Sequence, residues 1–354
     1  MKLDKALLIS IITISIFGLI MVYSSSYVWS EYKFNDPFKF VRNQSIFLLI
    51  GIFLMIKISK INYKIYYDKS NKILLLFIIL LILVLIPGIG TVRNGSRSWF
   101  GIGSFGIQPS EGSKLGLIIF ISKYISDNLK KINIFKILSI TLFIFFLIML
   151  QPDFGTGFII VVTIIGLIFI SGTNLKFFVR LGILGITGIV GLIMSAPYRL
   201  ERILSFLNPW KDPLGSGFQI IQSLYAIGPG GLFGLGFLNS IQKHFYLPEP
   251  ETDFIFSIIS EEFGFMGVII VSSLFLIIIY RCFRISLHIK EPFGKLLSFG
   301  ISFCLAFQTI LNLMVVVGLV PVTGVTLPFL SYGGSSLLMT MISMGIILNI
   351  SRYI

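Results

Sequence analysis

The chain has 354 residues, 55% of them hydrophobic and only 12% charged, with a formal net charge of +13 and a mean hydropathy of +0.96. A water-soluble fold of this length has too little interior to hide so much apolar surface, so much of its solvent must be lipid. No basic, aromatic-interleaved soluble segment carries the charge, which argues against a nucleic-acid partner. The two cysteines, Cys282 and Cys304, lie in or beside apolar runs, which argues against a disulfide framework; His244 and His288 add too little for a zinc site.

Lys2 and Lys5 precede an apolar run over 6–23, longer than the core of a secretory leader, so it reads as an uncleaved first span. Aliphatic runs near twenty residues then recur without the alternation of a membrane barrel, which predicts an all-α, polytopic protein. Ten spans are expected, at about 6–26, 44–58, 72–90, 112–126, 135–151, 155–172, 176–195, 254–280, 296–318 and 328–350. Lys and Arg concentrate at Lys2, Lys5, Lys176, Arg180, Arg352 and the loops 57–72, 123–136 and 281–295. Positive loops stay inside, so both termini are expected in the cytoplasm of a cell membrane. Residues 196–253 then form a large extracellular loop between spans 7 and 8, too apolar and too rich in Gly and Pro to be disordered. It holds an amphipathic segment over 198–207 and an apolar stretch over 220–237 broken by Gly228-Pro229-Gly230-Gly231. It reads as partly re-entrant, packed on the bundle's outer face. No repeat is visible, and 1–354 reads as a single membrane domain. The outward stretches 91–97 and 199–211 stay mildly basic, which suits anionic lipid head groups.

Three carboxylates, Glu249, Glu251 and Asp253, fall within five residues just before the apolar run that starts at Phe254. An acid where the chain leaves water for lipid is costly unless it is used. Asp253 reads equally well as a helix cap and as a reactive group. On a helix starting there, Ser257, Ser260 and Gly264 share its side, Glu261 lies at an angle and Glu262 points opposite. Both glutamates read first as partners for a buried Lys or Arg. Earlier, Arg93 and Arg97 offer the bidentate donors that a diphosphate needs. Glu111 and Lys114, three residues apart at the start of span 4, can pair on one face. The turn at 151–157 and the Gly/Pro-interrupted region 321–336 predict broken helices whose freed backbone lines a cavity or packs against a neighbour. The glycines at 215–217 and 228–231 lack a nucleotide-loop context.

The strings RNGSRSW, GIQPSE with Lys114, QPDFGTG, FLNPWKDPLGSGFQIIQSL, QKHFYLPEPETDFIFSIISEEFGF and PVTGVTLPFLSYGGSS run in order from Arg93 to Ser336. Together they resemble the SEDS family, the FtsW/RodA/SpoVE proteins of shape, elongation, division and sporulation, and within it the FtsW and stage V sporulation branch. The resemblance implies a ten-span fold and peptidoglycan glycosyltransferase activity on lipid II, with a class B penicillin-binding protein as transpeptidase partner. It implies that Asp253 is essential and that a divalent cation, Mg2+ or Mn2+, takes part, with Asp253 as its candidate ligand. It makes Glu111 and Lys114 a polar pair in the membrane cavity, and Arg97 a head-group contact. One departure is Gly112, where the family usually carries a bulky apolar residue; looser packing is expected near Glu111.

Lipid II carries an α-linked sugar and the polymer bond is β, so transfer inverts at carbon 1 and a single base suffices. Asp253 is the expected base, or the group that holds the metal. Arg93, Arg97, Arg202 and Lys114 are expected at the diphosphate, with Glu261 as a further substrate contact on the polar side of span 8. Two other classes stay open. One is a lipid II flippase using Glu261, Glu262 and Lys114 as a relay; the other is a non-catalytic scaffold of the division machinery. Acids clustered at the outer mouth, without an inverted repeat, favour the enzyme.

Overall fold

The structure, a computed structural model, describes residues 3–93, 95–102, 105–129, 131–194, 197–215 and 217–354; the side chains of 102, 105, 189, 192, 193, 197–199, 202 and 203 fall outside it. The predicted spans return in order as long helices: α1 (Lys5–Phe34), α2 (Lys39–Ile58), α3 (Lys64–Leu83), α4 (Pro109–Asp127), α5 (Ile134–Met149), α6 (Phe154–Ile170) and α7 (Leu175–Met194). Two short helices, α8 (Pro197–Leu207) and α9 (Phe218–Ile227), precede α10 (Ile255–His288), α11 (Pro292–Val316) and α12 (Gly334–Ile350). Among the described residues, α1, α2, α10, α11 and α12 with the turn that continues it to Tyr353 are long and apolar enough to cross a membrane, and α5 and α6 are apolar but shorter, at 16 and 17 residues.

Helix starts are set by side chains that accept the orphan N–H groups of the first turn. Asp4 accepts from the N–H of Leu7, Asn133 from that of Lys136, and Glu291 from those of Phe293 and Gly294. In the bundle α12 lies against α2, α1 against α10, and α11 is flanked by α4, α6 and α10.

One small sheet stands out from the all-α architecture. β1 (Thr91–Arg93), β2 (Ser96–Ile102) and β3 (Phe105–Ile107) form an antiparallel meander in that order. Arg93 pairs with Ser96, so the chain reverses tightly between them, and Gly95 takes the left-handed conformation (φ 78°) that suits such a turn. The third helix therefore ends at Leu83, short of the expected 90, and the sheet lies over α4 and the start of α12.

The expected loosening at Gly112 is corrected. Phe77 of α3 fills that space, and a Cβ on Gly112 would lie 2.0 Å from its Cε1. Overpacking a filled site costs about 1–3 kcal/mol. Gly112→Ala is thus expected to lower the thermal unfolding midpoint, with relief in a Phe77→Leu background.

A second correction concerns α10, which breaks at Gly264 (φ 60°, ψ −156°). The 228–236 segment lies into the break. Leu235 and Gly236 donate their N–H groups to the carbonyls of Glu261 and Glu262 at 2.9 and 3.0 Å. In return, Phe265 and Met266 donate to the carbonyls of Gly231 and Leu232 at 2.9 and 3.1 Å. Backbone groups freed inside a membrane bundle must find such partners. A Cβ on Gly264 would sit 2.4 Å from the Gly234 nitrogen, so main chain meets main chain there. Helix α9 packs on α10 and α11, with Ser223 bonded to Ser257 at 2.8 Å and to the Val316 carbonyl at 2.6 Å.

Candidate active site

The 240–253 segment leaves the α10 break and returns to the start of the same helix, and each end is pinned separately. At the near end, Glu261 accepts from Ser240 Oγ at 2.5 Å and from the N–H of Ile241 at 2.8 Å, and Gln242 N lies at 3.4 Å. Its neighbour Glu262 pairs with Lys243 Nζ at 2.7 Å, both side chains being fully buried. Ser24 of α1 donates to the same carboxylate at 2.6 Å, and Lys243 lies 4.9 Å from the Tyr27 ring. Glu262 thus has the buried lysine that its sequence asks for. Glu261, expected as a substrate contact, is buried, and its carboxylate is taken up by the loop.

At the far end, Phe254 occupies the cap position of α10 and makes no side-chain cap bond. Asp253 stands one residue before that position. Its carboxylate is half-buried and accepts from Thr252 Oγ1 at 2.9 Å. Its carbonyl accepts from Asn312 Nδ2 of α11 at 2.8 Å, and the same amide reaches the Val325 carbonyl at 2.7 Å. Two residues before Asp253, the Glu251 carbonyl accepts from the N–H of Tyr332 at 2.7 Å. Gln44 of α2 holds that turn, donating to the Ser331 carbonyl at 3.0 Å and accepting from the N–H of Gly333 at 3.3 Å.

The Glu251 carboxyl is buried, and its Oε2 has no hydrogen-bond partner. Burial first, then the charges of Glu249 and Asp253, push it up to about 7, against its own main-chain bond and Lys33. A folded acid raised in this way holds a proton that the unfolded chain has already released. Its contribution is full below the unfolded value and is lost as pH rises from about 4.5 to about 7. At most ~3 kcal/mol is at stake. The unfolding midpoint is expected to fall across that window, and Glu251→Gln, a neutral isostere, to flatten the fall. An equally steep decline in the variant would place the titration elsewhere.

Glu111 and Lys114 pair at 3.0 Å inside the bundle, and Lys114 Nζ also donates to Gln308 Oε1 at 2.8 Å. They line a small cavity of about 40 Å³ with Cys304, Gln308, Thr340 and Ser343. Asp153 ties the starts of α4 and α6 together, accepting from Gln108 Nε2 at 2.9 Å, Ser110 Oγ at 3.2 Å and the N–H of Thr156 at 3.1 Å.

Arg93 and Arg97 sit on neighbouring strands of the meander. The Arg93 guanidinium stacks 4.9 Å from the Trp99 ring, against Gly106, and lies close enough to Tyr332 to act on it electrostatically. That brings the basic hairpin beside the turn that holds Glu251. Arg202 belongs to α8, but its side chain lies outside the described residues. Sequence reasoning missed Gln44, Gln308 and Asn312, although a polar amide inside an apolar span is itself a signal. It also missed Lys243, whose local context carries none.

Among the described residues, no three His, Cys, Asp or Glu side chains converge to hold a metal ion. The donor set fits a divalent cation only as Mg2+ sits on phosphorylated substrates, with one or two carboxylates and the rest from phosphate and water.

A bundle of membrane helices that pins an acidic loop on an amide-bearing helix defines a polytopic membrane protein with a rim-placed carboxylate. The chain matches the model of the FtsW/RodA/SpoVE family, described as cell cycle protein, over residues 4–354, and it belongs to that family. It is 51% identical over 359 residues to stage V sporulation protein E of Bacillus subtilis (strain 168), covering 99% of this chain and 98% of that one. It is 39% identical over 358 residues to the probable peptidoglycan glycosyltransferase FtsW of Geobacter sulfurreducens, covering 99% and 95%. Among solved structures it superposes on a chain of a peptidoglycan synthase complex with a TM-score of 0.82 at 29% identity, covering 99% and 98%. The rod shape determining protein RodA of Thermus thermophilus gives 0.73 at 26% identity, covering 99% and 97%.

Proposed function

We infer that this chain is a membrane-embedded peptidoglycan glycosyltransferase whose substrate is lipid II and whose base is Asp253. The observation that carries the reading is the half-buried Asp253 carboxylate at the end of an apolar helix, with its main chain held by Asn312 and, through Glu251, by Tyr332. A base works when a rigid frame keeps it within reach of the proton it takes.

In the proposed step the acceptor 4-hydroxyl oxygen attacks carbon 1 of the donor sugar, on the face opposite the leaving group. The bond from carbon 1 to the diphosphate breaks, the hydroxyl proton passes to Asp253, and the carrier diphosphate departs as an anion. Inversion from α to β follows from that geometry. Arg93 and Arg97 bind the diphosphate and offset its growing charge. A bound Mg2+ or Mn2+ would be held by Asp253 and phosphate oxygens and would supply further charge neutralisation.

The positive residues of the loops favour cytoplasmic termini and an outward-facing acidic loop. The transpeptidase partner is a class B penicillin-binding protein, a reading supported by the likeness to a chain of a peptidoglycan synthase complex. The flippase reading loses ground because Glu261 and Glu262 are both engaged by the loop in a closed interior.

Purified protein in vesicles with labelled lipid II tests the assignment. Glycan polymer on a gel is the expected result. Head-group movement without polymer would make the chain a transporter. Neither activity, with Asp253 dispensable in the assembled complex, would make it a scaffold.

A further inference from the structure

We propose that Gln308 and Asn312 of α11 are positioning residues that join Asp253 and the buried Lys114–Glu111 pair into one mechanical unit, an inference that rests on the glycosyltransferase reading. The two amides stand one helical turn apart, about 6 Å along the axis, and so face the same way. Their bonds form a continuous chain. Lys114 Nζ donates to Gln308 Oε1 at 2.8 Å, and Gln308 Nε2 donates to the Thr326 carbonyl at 3.0 Å. The preceding residue, Val325, accepts from Asn312 Nδ2 at 2.7 Å, and the same nitrogen reaches the Asp253 carbonyl at 2.8 Å.

Each amide has its orientation forced. Two carbonyls face one end of Asn312, so that end must be the NH2, and Asn312 Oδ1 is left buried without a partner. At Gln308, the ammonium of Lys114 demands an acceptor on one side while the Thr326 carbonyl demands a donor on the other. Lys114 therefore fixes the Gln308 amide, which fixes the 325–326 main chain, which shares Asn312 with Asp253. Such bonds are strong in a water-poor interior, and their loss leaves buried carbonyls unpaired.

Lys114 thus serves the reaction from inside the bundle. It does so through the placement of Asp253, with no need to touch the diphosphate. A misplacement near 1 Å is enough to cost about a hundredfold in rate.

The test measures polymerisation rates for wild type, Asn312→Leu, Gln308→Met and Lys114→Met on labelled lipid II. Each variant is expected to lose kcat by roughly tenfold to a hundredfold while KM stays within about threefold. A residue that binds substrate would raise KM with kcat kept, and that result would overturn the proposal. Asn312→Leu is then placed in an Asp253→Glu background, where the carboxylate is already displaced. There it should cost less than about threefold, since both changes act on one coordinate. Fully multiplicative losses would equally overturn the proposal. Should Asn312→Leu fail to fold, Gln308→Met takes the same readings, because it leaves the bond to Asp253 in place; an unchanged kcat there refutes the coupling. A wild-type protein that makes no polymer would instead sink the enzymatic reading before any variant is compared.

Discussion

Asp253→Asn is expected to cut polymerisation of lipid II by at least ~10²–10³-fold while the protein unfolds at the wild-type midpoint. The substitution is isosteric and leaves the main-chain bond from Asn312 in place. What it removes is the proton acceptor, and general base catalysis alone is worth about 10²–10⁴-fold. Asp253→Glu keeps the acceptor and moves it by about one methylene, so it should retain a few per cent of activity. Asp253→Ala should fall to the level of the asparagine variant or below. Gel analysis of labelled product separates the three. Full activity in the asparagine variant would take Asp253 out of the chemistry and leave the acidic loop a structural role.

The second large effect is expected at Lys243. Lys243→Met leaves the buried Glu262 carboxylate with the Ser24 hydroxyl but no positive charge, and an uncompensated buried charge costs about 3–5 kcal/mol. The variant should lose most of its unfolding midpoint and yield. The double variant Lys243→Met with Glu262→Leu should recover much of the loss, because two apolar groups need no partner. Lys243 lies on the segment that ends in Asp253, so the single variant should lose activity together with stability. A wild-type midpoint in Lys243→Met would show that the ion pair carries no net weight.

The spans could be read from the sequence because lipid imposes a length and a composition on every helix that crosses it. The Glu111–Lys114 pair was legible for a similar reason: three residues apart on a helix brings side chains together. An Asn-Gly pair in the sequence beside Val92, Arg93 and Arg97 is a tight-turn signal, but an all-helical expectation hides a short sheet. The break at Gly264 was not legible locally. Its cause is the approach of Gly230 and Gly234 from a segment thirty residues away, and only that contact explains why α10 opens there. Lys243 reads as one more positive charge on an outer loop, and its burial against Glu262 depends on α1 closing the site with Ser24 and Tyr27. Asn312 and Gln308 gave a signal in their spacing within an apolar helix. Their partners, the carbonyls of 253, 325 and 326, are invisible to any pattern of side chains.

The bond from Tyr332 to Glu251, with Gln44 behind it, has a consequence for biosynthesis. The ribosome releases Asp253 long before it reaches Asn312 and Tyr332, so the nascent chain carries its key carboxylate with nothing to aim it. Its support arrives only when α11 and the turn at 331–333 have been made and close over a loop translated much earlier. A chain cut short before residue 312 would carry that loop into the membrane with neither Asn312 nor Tyr332 to hold it, and on the glycosyltransferase reading such unfinished copies would make no glycan.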